Sequence, residues 1–317
     1  MTERLPAILR ANLRLPVIAA PLFIVSGPEL VVAQAKAGII GSFPALNART
    51  TDQLREWLTR ITTELGAAPD AGPYAVNLIA HKTNGRLLDD LAILEEFRVP
   101  IVITSLGARP EVNERIHTYG GVVLHDVISN VHARKAIDKG ADGLIAVAAG
   151  AGGHGGSVSP FALIQEIREW FDGPLALSGA IAHGDSVLAA LAAGADFAYI
   201  GSLFIATDEA DAAPEYKKMI VAGRAEDIVY TDYFTGVKGN YLRPSITAAG
   251  LDPDALGQAG ESGSLEFLSS GEPKAWRDIW GAGHGIGTVD DVRPTAAVVD
   301  RLAEEYRRAQ ARVAALS

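Results

Sequence analysis

A chain of 317 residues, 48% hydrophobic but only 7% aromatic and with 33 glycines, has the length of one α/β barrel of typically ~250 residues plus an insertion, and can bury a large core. Its net charge of −10, with no dense Lys/Arg run interleaved with aromatics to offset it, argues against a nucleic-acid surface and is accounted for by solubility. Zero cysteines exclude disulfides, thiolate zinc sites, iron–sulfur clusters and a catalytic thiol.

The start, Met1-Thr-Glu-Arg-Leu-Pro6, has an acidic residue and no apolar core of ~7–15 residues, so it does not read as a signal peptide. No run reaches the ~18 apolar residues of a membrane span, and the cytoplasm is the expected location. From there, short apolar runs at 16–20, 39–43, 74–78, 100–104, 122–125, 143–147, 174–177 and 197–200 alternate with helical patterns at 29–36, 51–65, 85–97, 110–119, 131–139, 160–170 and 184–193. Eight strand candidates separated by helices predict a (β/α)8 TIM barrel. Helix exits repeat a pattern, Lys36-Ala-Gly-Ile39, Lys139-Gly-Ala-Asp142 and Ala193-Gly-Ala-Asp196, in which glycine suits the left-handed cap before the next strand.

The alternation stops near residue 206. The polar region that follows is expected to be a small, mainly helical cap inserted between the eighth strand and the last helix, so that residues 1–205 plus 286–317 make the barrel and 206–285 the cap. Residues 295–315 read as the closing amphipathic helix, with Arg307, Arg308 and Arg312 on a solvated face near its C-terminus.

Barrel chemistry takes place at the C-terminal ends of the strands. After strand six comes Val147-Ala-Ala-Gly-Ala-Gly-Gly-His-Gly-Gly156, which sets His154 among five glycines. Such a loop offers close backbone approach beside one titratable imidazole. Strand seven ends in Ser178-Gly179-Ala180 and strand eight in Gly201-Ser202, the two loops where a barrel commonly binds phosphate. The run Gly150-Ala-Gly152-Gly-His-Gly155 also fits a dinucleotide fingerprint, but the acidic residue expected ~20 positions later is misplaced, because Asp172 precedes strand seven and Ser178 closes it.

Taken with Ala20-Pro21-Leu22, Val76-Asn77-Leu78, Leu177-Ser178-Gly179-Ala180, Tyr199-Ile200-Gly201-Ser202-Leu203-Phe204, Thr235-Gly236 and Trp280-Gly-Ala-Gly283, this loop resembles the FMN-dependent nitronate monooxygenases, once called 2-nitropropane dioxygenases. Their relatives among NAD(P)H:quinone reductases and flavin-dependent enoyl-ACP reductases share the resemblance, which covers nearly the whole chain. It implies that FMN is the cofactor. Backbone around Ala20, Pro21 and Leu22 and the side chain of Asn77 would contact the flavin ring, Gly152 and Gly153 would line it, and Ser178, Gly179, Ala180, Gly201 and Ser202 would surround its phosphate.

The same resemblance makes His154 the base that takes the α-proton of a nitroalkane, and an imidazole tuned near the operating pH suits that task. The implied reaction is oxidation of alkyl nitronates by O2 to a carbonyl compound and nitrite, with an NAD(P)H-dependent quinone or enoyl reductase as the alternative and a non-catalytic flavin-binding barrel as a different class. His125 stands where relatives more often carry lysine or glutamine, and His284 where many carry glutamine; each is either a flavin-edge contact or a packed structural histidine. Tyr230, Tyr233 and Tyr241 either roof the pocket or form the core of the cap.

Histidines at 81, 117, 125, 132, 154, 183 and 284 include no pair at metal-ligand spacing, and no Gly-x-Ser-x-Gly occurs, so neither metal catalysis nor a serine hydrolase is expected. The expected partners are a small nitronate or nitroalkane and O2, with no nucleic acid and no membrane; the sequence leaves room for a homo-oligomer.

Overall fold

Strands and helices alternate along the first two-thirds of the chain as their hydrophobic periods predict. The barrel strands are β1 (Val17–Ala19), β2 (Gly41–Pro44), β3 (Tyr74–Ile79), β4 (Ile101–Ser105), β5 (Val122–Val127), β6 (Gly143–Val147), β8 (Leu175–Ser178) and β9 (Phe197–Ile200), with a short β7 (Gly153–His154) standing apart. Between them run α1 (Pro28–Lys36), α2 (Thr51–Gly66), α3 (Leu87–Glu96), α4 (Pro110–His117), α5 (Asn130–Asp138), α6 (Pro160–Arg168) and α7 (Gly184–Ala192). In this computed structural model the described residues are 5–257 and 278–316; part of the expected insertion, 258–277, lies outside them, as do residues 1–4 and 317.

The eight barrel strands are all parallel, in the order β1-β9-β8-β6-β5-β4-β3-β2. A parallel bridge between Ile18 and Ile40 joins the two ends of that order, with the Ala19 amide donating to the Ile40 carbonyl at 2.8 Å, so the sheet closes as a (β/α)8 barrel. Closure leaves no unpaired strand edge. The pleat divides the core in two. Ile101, Ile103, Leu124, Ile145, Ala176 and Phe197 pack with one another inside the barrel, whereas Val102, Val123, Leu144 and Ala198 pack outward with helix residues such as Leu58, Leu91 and Ile164. Leu5 and Leu9, just ahead of β1, belong to the inner cluster.

Two strand boundaries matter for the site. Strand two begins two residues later than expected, at Gly41, and β5 continues to Val127, so Asp126 lies within the strand instead of beyond it. Val127 is buried, and its packing extends the ladder past the two polar residues.

After β9 the chain carries α8 (Ser202–Ile205), α9 (Pro214–Ala222), β10 (Ile228–Thr231), β11 (Gly239–Leu242) and α10 (Arg243–Ala248) before α11 (Thr295–Ala314) packs back on α7 and α1. Besides the expected helices, this segment contributes two strands to a small antiparallel sheet whose third member is β7, from the glycine loop.

Candidate functional site

A cavity of about 990 Å³ opens at the C-terminal ends of the barrel strands. Alternation along the strands decides what it meets: residues of the same parity as the inner core emerge as the uppermost inward layer, among them Asn77 of β3, Ser105 of β4, Asp126 of β5 and Ser178 of β8. Ala20, Pro21, Leu22, Asn77, His125, Gly152, Gly153, His154, Ser178, Gly179, Ala180, Gly201 and Ser202 all line this one cavity. His284 does not. Its side chain is exposed, its amide donates to the Gly150 carbonyl at 3.0 Å, and the cavity wall there is formed by Gly283 and Gly285.

His154 is positioned by the inserted segment. β11 pairs antiparallel with β7, placing Gly239 opposite His154 and Asn240 opposite Gly153. Asn240 Nδ2 donates to the Ala151 carbonyl at 2.6 Å, and Tyr230 Oη donates to the Gly155 carbonyl at 2.9 Å. Nε2 of His154 lies 2.9 Å from Thr235 Oγ1, which itself donates to the Val237 carbonyl at 3.1 Å. Nε2 is the ring nitrogen turned to Thr235, whose hydroxyl also meets Tyr241. Burial brings the His154 imidazole down to about 4. The imidazole is therefore uncharged at neutral pH.

The glycines answer first to the protein's own packing. A Cβ on Gly152 would stand 2.8 Å from the Gly283 nitrogen, and one on Gly179, where φ is +135°, 2.6 Å from the Ala149 carbonyl oxygen. The Ala180 amide donates to the Gly150 carbonyl at 3.1 Å, so it is not a spare anion donor. Ser202 Oγ accepts the Gly283 amide at 2.8 Å, which leaves its own hydroxyl hydrogen unused by that bond. Ser178-Gly179 and Gly201-Ser202 follow adjacent parallel strands and so form one small-residue corner of the cavity.

On the far side, His125 is buried on the outward parity of β5, with Nδ1 2.6 Å from Thr104 Oγ1. Burial, then the nearby His132 and Lys139, lowers it to about 4, so it too is neutral. The inward residue is its neighbour Asp126. Ser105 Oγ donates to Asp126 Oδ2 at 2.5 Å, and Asn77 Nδ2 donates to Ser105 Oγ at 2.7 Å and to the Ile103 carbonyl at 3.1 Å. Sequence reasoning selected His125 and passed over Asp126 and Ser105. Counting by twos from Leu124, or from Ile101 and Ile103, would have found both.

Tyr230 lines the cavity, whereas Tyr241 is fully buried and packs against Phe234 at a ring-centroid distance of 5.0 Å, and Tyr233 against Phe234 at 5.2 Å. Among the described residues no group of three or more His, Asp or Glu side chains stands close enough to hold a metal, and no helix is long and apolar enough to cross a membrane.

The family model described as nitronate monooxygenase matches residues 74–249, more than half of the chain. Among curated proteins, the chain is 27% identical over 231 residues to a (3aS,4S,5R,7aS)-5-hydroxy-7a-methyl-1-oxo-octahydro-1H-indene-4-carboxyl-CoA dehydrogenase of Rhodococcus jostii, covering 73% of this chain and 63% of that one. It is 26% identical over 345 residues to a nitronate monooxygenase of Neurospora crassa, covering 92% and 89%. The solved structure of a nitroalkane oxidase from Streptomyces ansochromogenes superposes with a TM-score of 0.81 at 26% identity, covering 95% of this chain and 98% of that one. The chain spans 61–64% of the length of the curated relatives it matches at 27–29% identity. By this match over more than half its length, the chain belongs to the nitronate monooxygenase family.

Proposed function

We propose that the barrel-end cavity holds FMN and that the enzyme oxidises alkyl nitronates with O2 to a carbonyl compound and nitrite, His154 acting as base when a neutral nitroalkane is offered. The observation that carries the reading is an uncharged imidazole on the cavity wall, anchored from the inserted segment by Thr235.

The residues present suit FMN in both chemistry and shape. The corner formed by Ser178, Gly179, Gly201 and Ser202 offers hydroxyls and open backbone to a phosphate. Residues 20–22 and Asn77 would flank the ring, and Gly152 and Gly153 would line it. When bound, FMN supplies an electron-accepting ring and its reaction with oxygen. The chain's own part is acid–base and steric: the His154 imidazole receives the α-proton, and Thr235 fixes the orientation of the ring. In this reading residues 1–205 plus 286–317 bind the cofactor, 206–285 close over the substrate, and the absence of cysteine suits the cytoplasm.

A second reading is an NAD(P)H-dependent flavin reductase of the quinone or enoyl type; the likeness to a CoA dehydrogenase supports redox chemistry on a substrate other than a nitronate. Anaerobic mixing of the FMN-loaded protein with propionate 3-nitronate, and separately with NADH or NADPH, separates the two by flavin bleaching. The first reading requires fast bleaching by the nitronate; bleaching by a pyridine nucleotide alone selects the second. His154→Asn should keep FMN yet lose turnover of neutral nitroalkane by about 10²-fold or more, and of preformed nitronate far less; equal losses reject His154 as the base.

A further inference from the structure

Among the described residues, Asp126 is the one carboxylate that lines the cavity, and the chemistry above leaves it without a role. Its position follows from the pleat. Leu124 packs inside the barrel, so Asp126, two residues on, projects inward at the top of the same face, beside Ser105 of the adjacent β4, with Asn77 of β3 opposite Ile103 one layer below.

The hydrogen bonds around it run in one direction. Both Asn77 amide hydrogens are spent, on the Ile103 carbonyl and on Ser105 Oγ, and the Ser105 hydroxyl hydrogen is spent on Asp126 Oδ2. Every donor in the chain is consumed, and the series ends at a carboxyl whose other oxygen, Oδ1, is buried without a partner. What these three side chains can still offer is acceptors. Tyr199 of β9, also lining the cavity, feels the carboxyl's charge. Burial raises Asp126 to about 6, with only the Ser105 hydroxyl acting against it. A buried carboxyl with no cation beside it is costly for the fold alone, and such groups concentrate where a ligand gives them a use.

The ring of oxidised FMN carries a single N–H, at N3, beside two carbonyl oxygens. A wall of acceptors suits that N–H and disfavours a ring edge that presents only carbonyls. We infer that Asp126, aligned by Ser105 and Asn77, is a cofactor-binding residue that accepts the N3–H of FMN and sets a negative charge against that end of the ring. The inference rests on the FMN reading given above.

N3-methyl-FMN, which lacks the N–H, is the probe, titrated against apoprotein by flavin fluorescence alongside FMN itself. Wild type should bind FMN about tenfold or more tightly than the methylated analogue, the size of one hydrogen bond to a charged acceptor. Asp126→Ala should lose that preference, to within about twofold. The same preference in Asp126→Ala as in wild type overturns the inference and leaves the FMN reading standing; a wild type that binds neither flavin overturns both.

Asp126→Asn, close to isosteric, guards against misfolding and has its own readout. Checked for an unchanged apoprotein fold, it should raise the flavin reduction potential at about pH 8, where the wild-type carboxyl is ionised and disfavours the extra negative charge of reduced flavin. An unchanged potential counts against the inference.

Discussion

Nε2 of His154 and Oγ1 of Thr235 stand 2.9 Å apart across 81 residues of sequence, so the inserted segment fixes the orientation of the imidazole. Thr235→Val keeps the shape and removes the hydroxyl. Turnover of neutral nitroalkane should fall by about tenfold, the equivalent of ~1.4 kcal/mol in the barrier, while FMN affinity stays unchanged. Thr235→Ser should restore the rate. A Val variant as fast as wild type would show that the ring is oriented by other means.

Acid should weaken the ligand-free protein. His125 and His154 fold with pKa values of about 4 against 6.5, so the unfolded chain binds more protons between those values and stability is lost as pH falls through that window. Asp126 works in the opposite sense: raised from 3.8 to about 6, it favours the folded state as pH falls through about 6. Asp90, also raised by burial, acts with Asp126, but the two histidine shifts are the larger effect in this window, so the melting temperature should be lower at about pH 5 than at about pH 7, and the drop steeper in Asp126→Asn. A melting temperature that rises on acidification contradicts the assignment.

Glycines of similar sequence context should differ sharply. At Gly179 a Cβ meets backbone at 2.6 Å and φ is +135°, so Gly179→Ala should destabilise by ~2 kcal/mol or more. At Gly66, the last residue of α2, a Cβ finds nothing within 4 Å; Gly66→Ala should be neutral or stabilising by up to ~1 kcal/mol. Denaturant midpoints of the two variants make the comparison.

The loop after β1 is held in a strained shape by Asn47, with Ser26 Oγ accepting the Leu22 amide at 3.0 Å. Ile24, a β-branched residue, has φ +58°, and Asn47 fixes it by accepting the Ile24 amide at 2.9 Å while donating to the carbonyls of Leu22 at 2.9 Å and Ser26 at 2.8 Å. Ile24→Gly should stabilise the fold by ~1 kcal/mol, whereas Asn47→Ala should lower the melting temperature and weaken ligand binding, because Leu22 and Phe23 line the cavity. Unchanged ligand affinity in Asn47→Ala would show that the loop keeps its shape unaided.

Much of this was readable in advance. Seven helices and eight barrel strands were placed to within a few residues, because buried parallel strands are unbroken apolar runs and the helices between them keep a period of 3.6. The glycine loop and the Ser-Gly pairs were legible for the same reason: position at a strand's C-terminal end is a matter of counting. The exposure of His284 was not legible, since nothing local says which way a loop side chain turns while its glycine neighbours form the wall. The pairing of β11 with Gly153 and His154 was invisible, because two residues carry no strand period and their partner lies 85 residues away.

The sequence alone determined the βα repeat, the barrel and most of the residues at its mouth, because those depend on local periodicity and on the order of elements. The tertiary structure alone decided what those residues can do. Pairing of β4 with β5 sets Ser105 against Asp126, and the return of β11 ties His154 to Thr235. It also spends the Ala180 amide on Gly150. Each is a contact between distant segments whose hydrogen bonds and desolvation exist only once the chain has closed on itself.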